Sequence, residues 1–353
     1  MSINNYAEVL AFTKGLSRPA WLAIRKQGIG GSDASSILGV NRWTSAFALW
    51  ADKIGASPDS DNSNAAMTWG NDLELPVAQH FAREHEAAVV AYPAVLRSKA
   101  HPFMLANVDF FVVEPSELTP AGVVTDLGSI ALDELPEIWH ILEIKTTGIT
   151  GKPSREWEND NVPRSYELQG QHYSIVTGIQ SVIFAALVAG TGLVVRGRLY
   201  NGEKENAELI AAESHFFQQV ARREPPEPDG SDSSAEAIKS LYPESTPETA
   251  IEADDFSIEI IDEYLTAKAE LDALELKVKG LKAKIEVAIG ANEILTWQGT
   301  PIATYKSTKS RAALDQKAVE TWLAENKPEI LKSFTVTKPG YRVLRFMKVR
   351  TGE

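Results

Sequence analysis

Apolar positions recur along this chain with two different periods. Leu73, Val77 and Phe81 fall four apart, which places them on one face of a helix running from about Met67 to Phe81. Trp139-His140-Ile141-Leu142-Glu143-Ile144-Lys145-Thr146-Thr147 reads instead as a strand, a bulky run that ends in an acid and a base two positions apart. Alternate side chains on a strand share a face, so Glu143 and Lys145 are expected to point the same way. Trp21–Lys26 is a short amphipathic run, and the pattern predicts a helix opening at Ser32 or Asp33 and closing at Gly39, and another from Phe47. It predicts a strand over Ala88–Leu96 and an apolar run through Val108-Asp109-Phe110-Phe111. A helix follows with Pro163 in its first turn and Gly178 as its stop, then strands near 180–187 and 193–199 and a helix near 205–220.

Between these elements, residues 56–66 and 152–161 are polar and loop-like, and 114–137, rich in Pro, Gly and acids, reads as a long hairpin connection or insertion. The Pro- and Ser-rich stretch from Arg222 to Ser234 is the clearest boundary signal. We therefore expect a core over 1–223, an acidic linker over 224–255, and a basic accessory domain over 256–353. In that last part a helix spans Ile258–Ile289. Its residues Leu271, Leu274, Val278, Leu281, Ile285 and Ala288 alternate spacings of three and four, a seam for another helix in a hairpin or a coiled coil. A β-hairpin turning at Gly299, a helix over Asp315–Asn326 and a strand over Tyr341–Val349 complete the tail.

Composition changes this picture in three ways. A length of 353 residues fits two domains. No apolar run approaches ~20 residues, and Met1–Lys14 has no signal-peptide core, so no membrane segment is expected. The absence of cysteine rules out thiolate metal sites and fits a cytoplasmic, intracellular protein. A net charge of −13 taken alone disfavours a nucleic-acid partner, but it is unevenly spread. Residues 203–263 carry 17 acids and 4 bases, whereas 264–353 carry 16 bases and 10 acids. Global acidity therefore does not veto a local groove for DNA.

A carboxylate beside an ammonium at a strand end suits a metal-assisted phosphodiesterase: oxygen for a hard cation, positive charge beside the attacked phosphate. Acid-x-Lys also occurs at Glu275/Lys277, Asp315/Lys317 and Glu325/Lys327, but in predicted helices with no acid on a preceding strand. Asp109, flanked by Val108 and Phe110, is costly to bury unpaired, so it should be bonded, metal-bound or turned outward. Antiparallel pairing of its strand with that of Glu143 would bring the two acids together. Free amides at the start of the Gly28–Gly39 helix, with Arg25 nearby, form a possible anion site, although glycines and a cap also describe an ordinary capped helix.

Several of these pieces together resemble the lambda-type exonuclease family, in particular the YqaJ-like viral recombinases of the PD-(D/E)xK nuclease superfamily. They are Arg25 with Gly28-Ile29-Gly30-Gly31-Ser32-Asp33-Ala34, Trp69-Gly70 with Leu73-Glu74, then Asp109, then Glu143-Ile144-Lys145, then Val162-Pro163 with Tyr166 and Gln169. They occur in the family's order over about residues 20–180. The resemblance implies an α/β, restriction-endonuclease-like core, a central mixed β-sheet flanked by helices, with a smaller α+β C-terminal extension. It implies Asp109, Glu143 and the main-chain carbonyl of Ile144 as ligands of Mg²⁺, with Mn²⁺ able to substitute, and Glu74 helping to hold a second ion. Lys145 would orient or activate water and balance charge on the phosphate. Gln169 would position Lys145 or the water, with Tyr166 beside it, and Arg25 and Ser32 would bind a terminal 5′-phosphate. The implied activity is 5′→3′ hydrolysis of one strand at double-stranded DNA ends, leaving 3′ tails for a single-strand annealing protein. The implied assembly is a homo-oligomer, a trimer in the lambda type, and the implied location is the cytoplasm of a bacterial host. Two departures stand out: the 114–137 connection is longer than the family's, and the basic tail lies outside the match. An endonuclease on the same scaffold and a non-catalytic DNA-binding adaptor remain competing expectations.

Overall fold

The computed structural model describes residues 2–56, 65–147, 155–188, 192–337 and 340–346. The chain divides into two units, Met1–Pro243 and Glu244–Glu353.

The first unit is built on a six-stranded mixed sheet. Its strands are β3 (Ala88–Ala91), β6 (Phe110–Val113), β7 (Val124–Asp126), β8 (Ile138–Thr147), β9 (Ser181–Val188) and β10 (Gly192–Leu199). They lie in the order β10-β9-β8-β6-β3-β7. β8 is central, antiparallel to β6 and parallel to β9. A second sheet has the order β1-β4-β5-β2, from β1 (Ala7–Phe12), β2 (Ile29–Gly30), β4 (Ala94–Ser98) and β5 (Met104–Ala106). The expected strand over Ala88–Leu96 is thus two strands in two sheets. They part at Pro93, whose ring removes the donor a continuous ladder would need. β1 falls in the N-terminal stretch Met1–Lys14, for which no strand is expected from the sequence. It is an edge strand, mostly half-exposed, and its bulge between Val9 and Ala11 interrupts two-residue alternation in a run that is otherwise apolar.

Helices cover both faces of the larger sheet, which is the architecture expected. On one side α4 (Ala65–Glu84) buries Val77 and Phe81 against Val89, Phe110, Leu142 and Ile144. On the other, α5 (Arg164–Thr177) packs Tyr173 and Val176 with Phe111, Ile141 and Phe184. Period-two alternation is explicit in β8: Ile141 belongs to the α5 side, Leu142 and Ile144 to the α4 side. α5 stops where Gly178 enters a left-handed conformation at φ 75°, as its sequence predicts.

The 114–137 connection leaves the β6–β8 hairpin at Val113 and returns at Ile138, the end opposite Asp109 and Glu143. It adds β7 to the sheet margin and contributes Leu132 to the core. β7 stands three strands from β8, about 14 Å at ordinary strand spacing.

A third cluster joins α3 (Ala46–Lys53), α6 (Glu203–Arg222) and α7 (Asp232–Leu241) through Phe47, Trp50, Phe216 and Ala237. α7 lies inside the stretch expected to be linker. Ser231 caps it by accepting from the Ser234 amide, and buried Ser234 donates to Ser45 Oγ at 2.8 Å. The first unit therefore runs past the expected boundary at 223.

The second unit carries one long helix, α8 (Asp255–Ile289), and of the two expectations for its seam, a hairpin or a coiled coil, no second long helix among the described residues of this unit closes a hairpin. The hairpin β11 (Ile294–Trp297) and β12 (Thr300–Thr304) turns through Gln298 and Gly299, both at positive φ, a two-residue turn matched to strand twist. α9 (Gln316–Asn326) and α10 (Pro328–Phe334) follow. The strand expected over 341–349 is absent from 341–346, and 347–349 lie outside the described residues, as do 57–64 and 148–154 of the two polar loops.

Candidate active site

The site forms where β8 meets the start of β6. Phe110 pairs with Leu142, so Asp109, just before β6, lies opposite Glu143, as the metal-site expectation required. Asp109 Oδ2 accepts the Ile144 amide at 2.9 Å. Glu143 and Lys145 do share a face: Lys145 Nζ donates to Glu143 Oε1 at 2.6 Å. Gln169, buried on α5, donates Nε2 to the same oxygen at 2.6 Å and also contacts the Tyr173 hydroxyl at 3.1 Å. Tyr173 in turn donates to the Asn107 carbonyl at 2.9 Å, tying α5 to the segment that carries Asp109.

Two donors thus converge on Oε1, while Glu143 Oε2 is buried and has no hydrogen-bond partner. Glu143 as a whole is only 1% exposed. A buried carboxylate oxygen without a donor is costly unless a cation or proton meets it. The charges agree. Burial and the nearby Asp109 carboxylate push Glu143 up to about 8, despite Lys145 beside it. Burial also raises Asp109, against the opposing pull of Lys145 and the Ile144 amide. Glu74, on α4, is pushed up to about 7 by burial and by Asp109. Burial works against the Lys145 ammonium, yet Glu143 and Asp109 hold it above its ordinary range, so it is protonated at neutral pH. One ammonium therefore faces three acids, and the site is short of positive charge.

A divalent metal fits that deficit. Asp109 and Glu143, with the Ile144 carbonyl, would supply the hard oxygens that such an ion prefers. Among the described residues no three acidic or histidine side chains close a cage on one point. Glu74 is accordingly placed to influence the pair, not to complete a three-carboxylate ligand set with it.

Tyr166 lies beneath Lys145, with the ammonium 4.8 Å from its ring centre, and stacks on Trp157 at 5.8 Å. This contact favours the charged lysine and restricts its long side chain.

Arg25 and Ser32 lie side by side, with Arg25 Nη2 donating to Ser32 Oγ at 3.0 Å. Ser32 is exposed, but neither it nor Asp33 caps α2 (Gly31–Ile37). The cap is Gly30, whose amide donates to Asp33 Oδ2 at 2.9 Å. Asp33 is buried and bridged to Lys53 at 2.8 Å. Burial alone would raise its carboxyl, but Lys53 and Arg25 outweigh that and hold it below the usual range. Lys53 also donates to the Arg25 and Gly28 carbonyls, so it fastens the loop that presents Arg25. Nothing in the local pattern around Lys53 marks it, because its partners lie 20 or more positions away.

Gly31 has a specific task. A Cβ there would lie 2.6 Å from Tyr173 Cε1 and 3.1 Å from Gln169 Cγ. The missing side chain lets α2 approach α5, and so connects the Arg25–Ser32 pair to the Gln169–Glu143 network.

A model of the YqaJ-like viral recombinase domain matches residues 20–180. The chain is 34% identical over 283 residues to the protein YqaJ of Bacillus subtilis (strain 168), a match covering 79% of this chain and 81% of that protein. Among solved structures it overlays on an alkaline exonuclease (LHK-Exo) from Laribacter hongkongensis with a TM-score of 0.44 and 16% identity. That overlay covers 58% of this chain and 93% of the other. The same exonuclease in complex with dAMP overlays with a TM-score of 0.45. This chain belongs to the YqaJ-like viral recombinase family.

Proposed function

We propose that this protein is a divalent-metal-dependent nuclease that degrades one strand of linear duplex DNA from its 5′ end. The observation that carries the reading is the site's missing positive charge: Glu143 is buried with one oxygen unpartnered, beside Asp109 and a single lysine. When bound, Mg²⁺ or Mn²⁺ would supply Lewis acidity and lower the pKa of an attacking water, with Glu74 available towards a second ion. Gln169 and Lys145 hold Glu143 Oε1, which leaves Oε2 free of donors for an ion. Lys145 acts as an ammonium, orienting water and balancing charge on the phosphate without removing a proton. Arg25 and Ser32 receive the terminal 5′-phosphate, a match of guanidinium fork to phosphate geometry, and Tyr166 flanks the strand beside Lys145. The 3′ tails left behind suit a single-strand annealing protein as partner.

Matched linear and covalently closed circular duplexes, incubated with Mg²⁺ and with chelator, test the reading. Linear DNA should disappear only with metal while the circle persists; rapid loss of the circle points to an endonuclease on the same scaffold. No cleavage with any divalent metal favours an adaptor. Linear DNA with a 5′-phosphate should be degraded faster than the same DNA with a 5′-hydroxyl. Arg25→Ala should shrink that preference by about tenfold or more, as expected for a lost charge-assisted contact.

Metal binding should also register as stability. An acid whose folded pKa is raised favours the folded state below its ordinary value of ~4.3 and loses that contribution as pH rises through the folded value. For Glu74 and Glu143, at about 7 and about 8, the metal-free protein loses stability between pH 5 and 9. A bound divalent cation offsets this by about 2.7 kcal/mol at a hundredfold excess over its Kd. Thermal melts with and without MnCl₂ should therefore differ more at pH 9 than at pH 6, and Asp109→Asn should remove the difference.

A further inference from the structure

The long helix α8 turns its apolar residues outward. Of its 35 residues only Ile289 is buried. Leu271, Leu274, Val278, Leu281 and Ile285 are each 48–56% exposed. Their spacing continues back through Ala267, Tyr264 and Ile260 and forward to Ala288, alternating three and four. These are the a and d places of a heptad, sustained over the whole helix. Gly280 falls on the outer face and does not interrupt the seam.

The charge on α8 is divided by position. Residues 255–275 carry seven acids and one lysine, whereas 276–289 carry four lysines and one glutamate. A parallel copy in register sets Glu263 against Lys268, but Glu270 against Glu275 and Lys277 against Lys282, so two of its three charged g-to-e contacts are like-charge. An antiparallel copy reverses the match.

We propose that α8 pairs antiparallel with α8 of a second copy of this chain, about a two-fold axis between residues 272 and 273. That axis falls within a residue of the helix midpoint, so the two seams overlap along their full length. In this register Leu271 meets Leu274 of the second copy, Tyr264 meets Leu281, Val278 meets Ala267, and Ile285 meets Ile260. The flanking charges become Glu263 with Lys284, Glu270 with Lys277, and Lys268 with Glu275. Symmetry doubles each to six opposite-charge pairs with no like-charge pair. The second unit itself reaches the seam at two places, where Phe346 stacks on Tyr264 at 5.0 Å and where Ala303, Thr304 and Tyr305 line an open cavity with Val278, Leu281 and Ile285, yet Tyr264, Val278, Leu281 and Ile285 remain 49–56% exposed. The two chains would enter the paired helices at opposite ends, about 50 Å apart at 1.5 Å per residue. This pairing rests on the second unit alone and is independent of the nuclease reading and of any association between nuclease units.

The full-length chain has no cysteine, which makes a disulfide test direct. Ile260→Cys and Ile285→Cys are made as separate single variants, their positions about 38 Å apart along one helix. Under mild oxidation each variant alone should stay uncrosslinked, while an equimolar mixture should yield the mixed 260–285 dimer. Same-site dimers from either variant alone show a parallel pair and overturn the proposal. Absence of crosslinks in the mixture also overturns it, because this readout reports helix pairing even where the nuclease units associate by themselves. Surface charge gives a second, fold-neutral check by sedimentation equilibrium. Glu270→Lys should weaken the α8-dependent association on the order of tenfold, because two attractive contacts become repulsive. Adding Lys277→Glu to the same chain should restore it. Equal association for all three chains contradicts the register.

Discussion

On the proposed reading, Glu143→Gln should cut DNA cleavage by roughly 10³-fold or more, since it would remove an ionised ligand oxygen from a low-dielectric site where charge stabilisation is worth most. The glutamine is isosteric, so circular dichroism should match the parent. Stability separates this loss from unfolding. Burial and Asp109 hold Glu143 up to about 8, so its ionised form opposes folding at alkaline pH. The metal-free Gln variant should therefore melt no lower than the parent at pH 9, gaining roughly 2–4 °C for each kcal/mol of penalty removed. Little difference should remain near pH 4, where both side chains are neutral. Lys145→Ala should lose cleavage by a comparable factor with a different signature. It strips the cation from between Glu143 and Asp109, so the metal-free variant should melt lower than the parent, most of all at high pH. Retained cleavage in either variant would move the chemistry away from β8.

Glu213→Ala destabilises the first unit by about 3–5 kcal/mol, the usual consequence of leaving a buried charge without its partner. Glu213 and His172 are both fully buried and meet at 2.8 Å, while His172 Nε2 faces the Leu105 carbonyl at 2.9 Å. Both ring nitrogens confront acceptors, so the geometry requires a doubly protonated imidazolium. Burial works against that charge, but Glu213 and the Leu105 carbonyl outweigh it and raise the His172 pKa. A histidine whose folded pKa is raised contributes stability fully below its ordinary value of ~6.5 and loses it as pH climbs through the folded value. The gap between parent and Glu213→Ala in urea unfolding should accordingly narrow at alkaline pH. A gap that is constant with pH would mean that the pair acts only through packing. His172 lies between Gln169 and Tyr173 on α5, so this buried pair anchors the helix that positions Glu143.

Most of the site is local enough to read from the chain. Two-residue alternation puts Glu143 and Lys145 on one face, and helical spacing puts Tyr166, Gln169 and Tyr173 together. Elements were misjudged where the deciding contact is distant. α7 has an ordinary serine cap, but its acidic, Pro-flanked setting resembles linker until Ser45 and Phe47 supply the surface it packs on. Ala88–Leu96 is uniformly apolar because both of its halves are buried, each in a different sheet, and only Pro93 marks the division. The strand expected at Tyr341–Val349 has no partner among the described residues, and alternation alone cannot form a ladder.

By itself, then, the sequence determines the elements, the face on which each chemical group lies and the order of the family's motifs, because these depend on spacing along one backbone. Tertiary structure alone decides three other matters. It sets Asp109 opposite Glu143 through strand register. It leaves one Glu143 oxygen unpartnered while Gln169 and Lys145 occupy the other. It also brings Lys53 and Glu213 to partners 20 and 41 positions away. Desolvation and Coulomb coupling depend on what surrounds a group in space, and burial turns an ordinary acid and base on a strand into a site with more buried acid than base.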